Sequence, residues 1–272
     1  MRRAIGASQR QMFSFRAAVM TATETSLERM LRVLDVIEES DGPITSDAML
    51  QSLGFTRSTL YRYLKILSSA GLITSLPGAG YSFGPRVAEL DYQMRNHDPL
   101  IIASRPVMAE LVRQTPGIAL VCRIYRDKVL CVHQERGTSG FSSTYERGRA
   151  RPLTRGAASR IILANLAPRA VSRLFQVCPQ SFKDGRLGDN LLAVKARLKE
   201  IRQRGWDVTE GQITKGVTGV AAPVFDQRGL VLGSLSLTVG RARLAHGELQ
   251  EIADRVVFCG RIVTKAIQSQ TP

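Results

Sequence analysis

Apolar positions recur at helical spacing through the first quarter of the chain and give way to strand-like alternation beyond it. Leu27, Met30, Leu31, Leu34 and Ile37 form one side of a first predicted helix, closed by Asp41-Gly42-Pro43. Thr25, with Glu28 three residues later, is a capping-box pair at its start. Thr45 or Ser46 caps a second helix containing Met49, Leu50 and Leu53, and Gly54 turns the chain sharply at no steric cost. Thr56 stands at the next N-cap position, and Leu60, Leu64 and Leu67 recur behind it on one inward stripe. Residues 71–76, the Pro77-Gly78-Ala79-Gly80 turn and Tyr81-Ser82-Phe83 then read as strand, tight turn, strand. Three helices and a hairpin in roughly sixty residues can fold alone, and this order is that of a winged helix-turn-helix.

Gly84-Pro85 separates the hairpin from a helical run over residues 86–95, with Val87, Leu90 and Met94 on its apolar side. We read it as a linker helix whose exposed apolar positions are free to pair with a second copy of the chain. Asn96-His97-Asp98-Pro99 breaks it, because a residue preceding proline is pushed out of helical angles. Residues 99–114 are helical again, with Leu100, Ile101, Val107, Met108, Leu111 and Val112 on one face. Two strands follow, residues 118–125 and 129–133, joined by Arg126-Asp127-Lys128. Helices are expected at residues 156–165, near 171–175 and over 191–204. A second hairpin joins residues 217–225 to 230–239, and an amphipathic helix over 248–267 closes the chain. Helices flanking an antiparallel sheet make this an α+β protein.

The third helix presents its chemistry on the face opposite its leucines. Arg57, Ser58, Thr59, Tyr61, Arg62 and Lys65 lie there behind the Thr56 cap, with no acidic residue from Arg57 to Lys65. Long donors, small hydroxyls and one aromatic suit phosphates and base edges in a DNA major groove. A basic helical face alone is more often a solvated surface; the hairpin that follows shifts the balance towards a DNA-reading element.

At 272 residues, 44% hydrophobic and 22% charged, the chain is long enough for two modest domains with substantial cores. The formal net charge of +15 favours a polyanionic partner, yet much of the excess lies outside the reading helix, at Arg147, Arg149, Arg151, Arg155 and Arg160 and from Lys195 to Arg204. Cys122, Cys131, Cys178 and Cys259 are far apart and form no metal-ligand spacing with His97, His133 or His246, so no metal site is expected and the thiols read as buried small hydrophobes. The chain has no run long enough to cross a membrane. It has no signal-peptide core either, since Arg16 interrupts the early apolar residues. Residues 1–24 read as a flexible basic arm, Met20 being an alternative start, and the expected location is the cytoplasm. Catalysis is not expected: there is no nucleophile elbow, P-loop or dinucleotide fingerprint, and no cofactor is called for.

Taken together, the residues resemble the IclR-type bacterial transcription regulators from about Thr25 to the C-terminus. Three stretches support the likeness: residues 54–71 with Arg57-Ser58-Thr59-Leu60-Tyr61-Arg62, then Tyr81-Ser82-Phe83-Gly84-Pro85-Arg86, then residues 216–226 followed by Leu235-Ser236-Leu237-Thr238. The resemblance implies a winged helix-turn-helix at residues 25–85, a linker helix at 86–98 and a GAF-like α/β effector-binding and oligomerisation domain at 99–272. It also implies operator DNA as partner, binding as a homodimer or dimer of dimers, and a small organic-acid effector. Carried onto this chain, the pocket is the loop with Thr154, Arg155, Ala157 and Ala158 facing Thr209, Glu210, Gly219, Ser236 and Thr238. Backbone N–H groups at Ala157 and Ala158 would receive the anion, and Arg155 offers a planar fork for a carboxylate. The chain departs from the family pattern at Thr154-Arg155, at Ser159-Arg160, at Gln212, where an acid is common, and at Gly219, where some relatives place cysteine. The rival reading is a small-molecule sensor or scaffold without DNA binding.

Overall fold

A computed structural model describes residues 24–137, 145–240 and 248–269, so the N-terminal arm lies outside the described residues except for Glu24. The chain divides into two compact units between Gln93 and Met94.

The first unit is built on three capped helices. Helix α1 (Ser26–Glu39) starts at the expected capping box, Thr25 N–H reaching Glu28 Oε2 at 2.8 Å and Glu28 N–H reaching Thr25 Oγ1 at 3.3 Å. The Thr25 N–H and the Thr25 hydroxyl, both donating to Glu28 Oε2 at 2.8 Å, hold the Glu28 carboxyl below its usual range. Val33 and Ile37 are buried, whereas Leu27 and Leu31 remain 71% and 53% exposed, so the inward stripe sits one position round from where the leucine spacing put it. Helix α2 (Ser46–Leu53) is capped by Thr45 and stopped by Gly54 in the left-handed region, φ 65°. Helix α3 (Arg57–Ser69) buries Leu60, Tyr63, Leu64 and Leu67, and Tyr63 meets Phe55 edge to face with ring centroids 5.8 Å apart.

Strands β1 (Ile73–Leu76) and β2 (Gly80–Phe83) pair antiparallel, Ile73 opposite Phe83, as the wing. The wing is tied down by two hydrogen bonds between Tyr81 and Ile44. Gly80 makes this approach possible: φ is 108°, and a Cβ there would stand 2.4 Å from the Ile44 carbonyl oxygen. Gly80→Ala is therefore expected to detach the wing and destabilise this unit by about 1–3 kcal/mol, seen as an earlier unfolding transition in urea.

Helix α4 (Pro85–His97) spans the boundary and buries none of its residues. In the second unit, Asp98 caps α5 (Pro99–Gln114), accepting the Leu100 N–H at 2.9 Å and pairing with Arg123 at 2.7 Å. The six-stranded sheet runs β5-β4-β3-β8-β7-β6, each neighbour antiparallel. Its members are β3 (Ile118–Tyr125), β4 (Lys128–Arg136), β5 (Ala150–Pro152), β6 (Asp207–Glu210), β7 (Val217–Phe225) and β8 (Val231–Gly240). One face packs against α5 and α10 (Glu248–Gln268). The other packs against α6 (Ala157–Ala164), α7 (Pro168–Val177), α8 (Pro179–Asp184) and α9 (Leu191–Arg204). Period-two alternation along β8 sorts the two sides: Leu235, Leu237 and Val239 enter the α5–α10 core, leaving Ser234, Ser236 and Thr238 towards α6. The α+β architecture matches the sequence expectation.

Candidate DNA interface and effector pocket

Within the first unit, α3 separates its chemistry from its packing. Arg57, Ser58, Tyr61, Arg62 and Lys65 are exposed, while Thr59 is half-buried. Thr56 serves the helix first: its Oγ1 accepts the Thr59 N–H at 3.3 Å and donates to Thr59 Oγ1 at 2.9 Å. Arg57 meets Asp47 at 3.3 Å, both side chains over 70% exposed, so the pair is worth well under about 1 kcal/mol and gives way readily to a phosphate. Arg62 lies 5.4 Å from the centroid of buried Tyr63, whose hydroxyl meets Ser26 at 3.0 Å. Tyr63 is thus the anchor that fixes the helix's rotation. The leucine stripe did not single it out, because an aromatic beside Arg62 reads equally as surface or core.

In the second unit a cavity of about 40 Å³ opens at the N-terminus of α6. Its walls include Gly156, Ala157, Ala158, Thr209, Gly219, Ser236 and Thr238, so six of the nine sequence-expected pocket residues come together there. The N–H groups of the helix start are held by the protein itself. Gly156 N–H donates to Gln212 Oε1 at 2.9 Å, and Ala157 N–H donates to Thr209 Oγ1 at 3.0 Å. Gly156, at φ 83°, lets the loop turn directly into the helix.

The three other expected residues do not line the cavity. Thr154 is buried, with its hydroxyl 2.6 Å from Ser181 Oγ. Arg155 turns its guanidinium to the Gln212 carbonyl at 2.8 Å and so braces the turn after β6 rather than facing the cavity. Glu210 is exposed because strand alternation puts Asp207 and Thr209 on one face of β6 and sends Glu210 to the other. The lining also includes Leu120, Tyr145, Gln212, Ile213, Thr214 and Val217, which the sequence reading did not place in the pocket. Tyr145 is buried beside Cys122 (Sγ to Oη 3.4 Å), and burial raises its phenol well above the usual value.

The comparisons with known proteins agree with both halves. The family profile described as "Bacterial transcriptional regulator IclR C-terminal" matches residues 93–265, and an "HTH domain" profile matches residues 29–82. The chain belongs to the IclR family of bacterial transcriptional regulators. Similar relatives include the HTH-type transcriptional regulator BhcR of Paracoccus denitrificans, 25% identical over 238 residues, covering 87% of this chain and 85% of the relative. The transcriptional repressor IclR of Escherichia coli is 22% identical over 262 residues, covering 92% and 93%. Among solved structures, an IclR transcriptional regulator from a Silicibacter species has a TM-score of 0.76 at 21% identity, covering 91% of this chain and 98% of its own. An IclR homolog from Microbacterium hydrocarbonoxydans, complexed with 4-hydroxybenzoate, has a TM-score of 0.72 at 16% identity, covering 90% and 100%.

This IclR regulator accordingly pairs a helix-turn-helix DNA-binding domain with a C-terminal effector-binding domain. A buried ion pair braces the pocket of that second domain. Arg160 on α6 meets Asp207 on β6 at 2.9 Å, and Arg204 approaches the same carboxylate at 3.2 Å. Burial pushes the Asp207 carboxyl up and the Arg160 guanidinium down, in each case against the attraction of the partner. Among the described residues no group of His, Cys, Asp and Glu is placed to hold a metal ion, and no helix is long and apolar enough to cross a membrane.

Proposed function

We propose that this IclR regulator binds operator DNA through the exposed face of α3 and is switched by a small carboxylate at the start of α6. It acts without catalysis, as a homodimer or dimer of dimers in the cytoplasm. The observation behind the effector assignment is a cavity of hydroxyls and small residues at the start of α6, where Gln212 and Thr209 accept from the Gly156 and Ala157 N–H groups. Gln212 and Thr209 present oxygens there as a ligand carboxylate would, so the helix start is already arranged for an acceptor. That the Microbacterium homolog carries 4-hydroxybenzoate supports the ligand class. A cavity of about 40 Å³ is small against the roughly 300 Å³ and more of typical ligand sites, so binding displaces the turn carrying Gln212, Ile213 and Thr214. The ligand alters DNA affinity only to the extent that it prefers one geometry of the assembled copies. Helix α4, with exposed Val87, Leu90 and Met94, supplies an apolar side for pairing with a second copy.

The pocket reading is tested by filling the cavity. A Cβ at Gly219 would meet Ala157 Cβ at 3.9 Å and Thr209 Oγ1 at 4.0 Å, ordinary contact distances, so a Cβ is tolerated there and the methyls of Gly219→Val take up ligand space. Carboxylates, 4-hydroxybenzoate among them, are screened for thermal stabilisation, and any hit is taken to a gel shift on the chain's own promoter region. Gly219→Val is expected to keep ligand-free DNA binding and lose the ligand's effect. A wild-type ligand response in this variant would move the effector site elsewhere.

A further inference from the structure

The positive charge of the chain sits on the unit that does not hold the reading helix. Residues 1–93 contain 10 Lys and Arg against 9 Asp and Glu, whereas residues 94–272 contain 28 against 14. Within the second unit the excess is one-sided. The helices on one face of the sheet, α5 and α10, carry five basic and four acidic residues. The helices on the other face, α6 to α9, carry nine basic and two acidic residues.

The outer surface of that layer is a set of cations held apart from their counter-charges. Arg169, Arg173, Lys183, Arg186, Lys195 and Lys199 are exposed and form no ion pair among the described residues. Arg169 and Arg173 stand one turn apart on α7, as do Lys195 and Lys199 on α9, and like charges at that spacing repel. Arg169 also lies in the first turn of α7, where a cation opposes the helix dipole. Of the acidic residues nearby, Glu200 is taken by Arg197 at 2.9 Å, Asp184 accepts from Gln180, and Asp189 accepts from Asn190. Folding alone gains nothing from this arrangement; a polyanion laid across α7 and α9 relieves it.

From this we propose that the outer surface of α7, α8 and α9 is a second, sequence-independent DNA-contacting surface that holds duplex phosphates flanking the operator. The inference rests on the DNA-binding reading of α3 and extends it. The near-neutral balance of residues 1–93 gives the reading unit little long-range attraction for DNA, and the tethered basic layer supplies it. Duplex DNA is favoured over an acidic protein because α3 already brings the chain to a duplex, which raises the local concentration of phosphate around the second unit.

The test uses the full chain and fluorescent duplexes from its own promoter region, one trimmed to the footprinted operator and one extended by two helical turns at each end. Anisotropy titrations are run across a salt series for the wild type, for Arg169→Gln/Arg173→Gln/Lys195→Gln/Lys199→Gln and for Arg57→Ala/Arg62→Ala. The wild type is expected to bind the extended duplex at least about tenfold more tightly at low salt. The quadruple variant should lose that gain, and its plot of log affinity against log salt should be shallower by about 3–4, at roughly 0.9 per contacted phosphate. All four sites are exposed, so its thermal midpoint serves as the folding control. A quadruple variant with the wild-type slope and flank gain overturns the proposal and turns the surface over to another partner, such as an acidic protein. If that happens while Arg57→Ala/Arg62→Ala abolishes operator binding, the reading of α3 stands by itself. Wild-type protein that binds neither duplex defeats both.

Discussion

Arg57→Ala and Arg62→Ala are each expected to weaken operator binding by roughly 1–3 kcal/mol, about 5- to 150-fold, with the double variant near the level of non-specific binding. Both side chains project from the exposed face of α3, and neither supports the core, where Leu60, Tyr63, Leu64 and Leu67 do the packing. Arg57 gives up only a solvated contact with Asp47. Arg62 gives up its approach to the Tyr63 ring, worth on the order of 0.5–1 kcal/mol at an exposed site. Lost DNA affinity therefore reports lost DNA contacts rather than unfolding. The pattern of loss distinguishes roles: a phosphate contact weakens all sequences alike and lowers the salt slope, whereas a base contact relaxes specificity at one position. Anisotropy titration of the operator and of single-base variants makes the distinction. Unchanged affinity in the double variant would remove α3 as the reading element.

Much of this face was legible in the sequence because helical periodicity separates the leucines from the cations without reference to anything distant. The same local signals placed the long elements, including α5 behind Asp98-Pro99 and the hairpin of β7 and β8. The elements missed were β5, α8 and β6, of three, six and four residues, too short for a period to show. The walls of the cavity were less legible than the exposed side of α3 because they come from segments far apart in the chain. Continuity with the loop suggested Thr154 and Arg155, but packing turned one towards Ser181 and the other towards the Gln212 carbonyl. Glu210 stands outside the cavity for a reason visible in the sequence: alternation from Thr209 already puts it on the other face of its strand. Nothing local marks Tyr145 or Leu120 as pocket residues, since only the fold brings them beside α6.

Asp207→Ala is expected to cost the second unit about 3–5 kcal/mol of stability. Asp207 is fully buried and Arg160 is 4% exposed, so removing the carboxylate leaves a guanidinium without its counter-charge in a dry environment. For both partners burial outweighs mutual attraction, which means that the ionised pair is itself a weak stabiliser. The double replacement Arg160→Met/Asp207→Leu should therefore recover most of what the single variant loses. Trp206 is the chain's one tryptophan, and it lies next to Asp207, so its fluorescence in a urea titration follows this unit alone. Asp207→Ala should also loosen the pocket, because Thr209, two residues along β6, caps the Ala157 N–H. A loss under about 1 kcal/mol would show that water reaches Arg160 and that the pair is not a brace.

The most direct test joins the two halves in one titration. Full-length protein is titrated into a duplex from its own promoter region at fixed salt, with and without the carboxylate that best stabilises it thermally, and the series is repeated with Gly219→Val. The account predicts that the ligand shifts the wild-type dissociation constant and leaves that of Gly219→Val unmoved. Superimposable wild-type curves with and without a ligand shown to bind would contradict it.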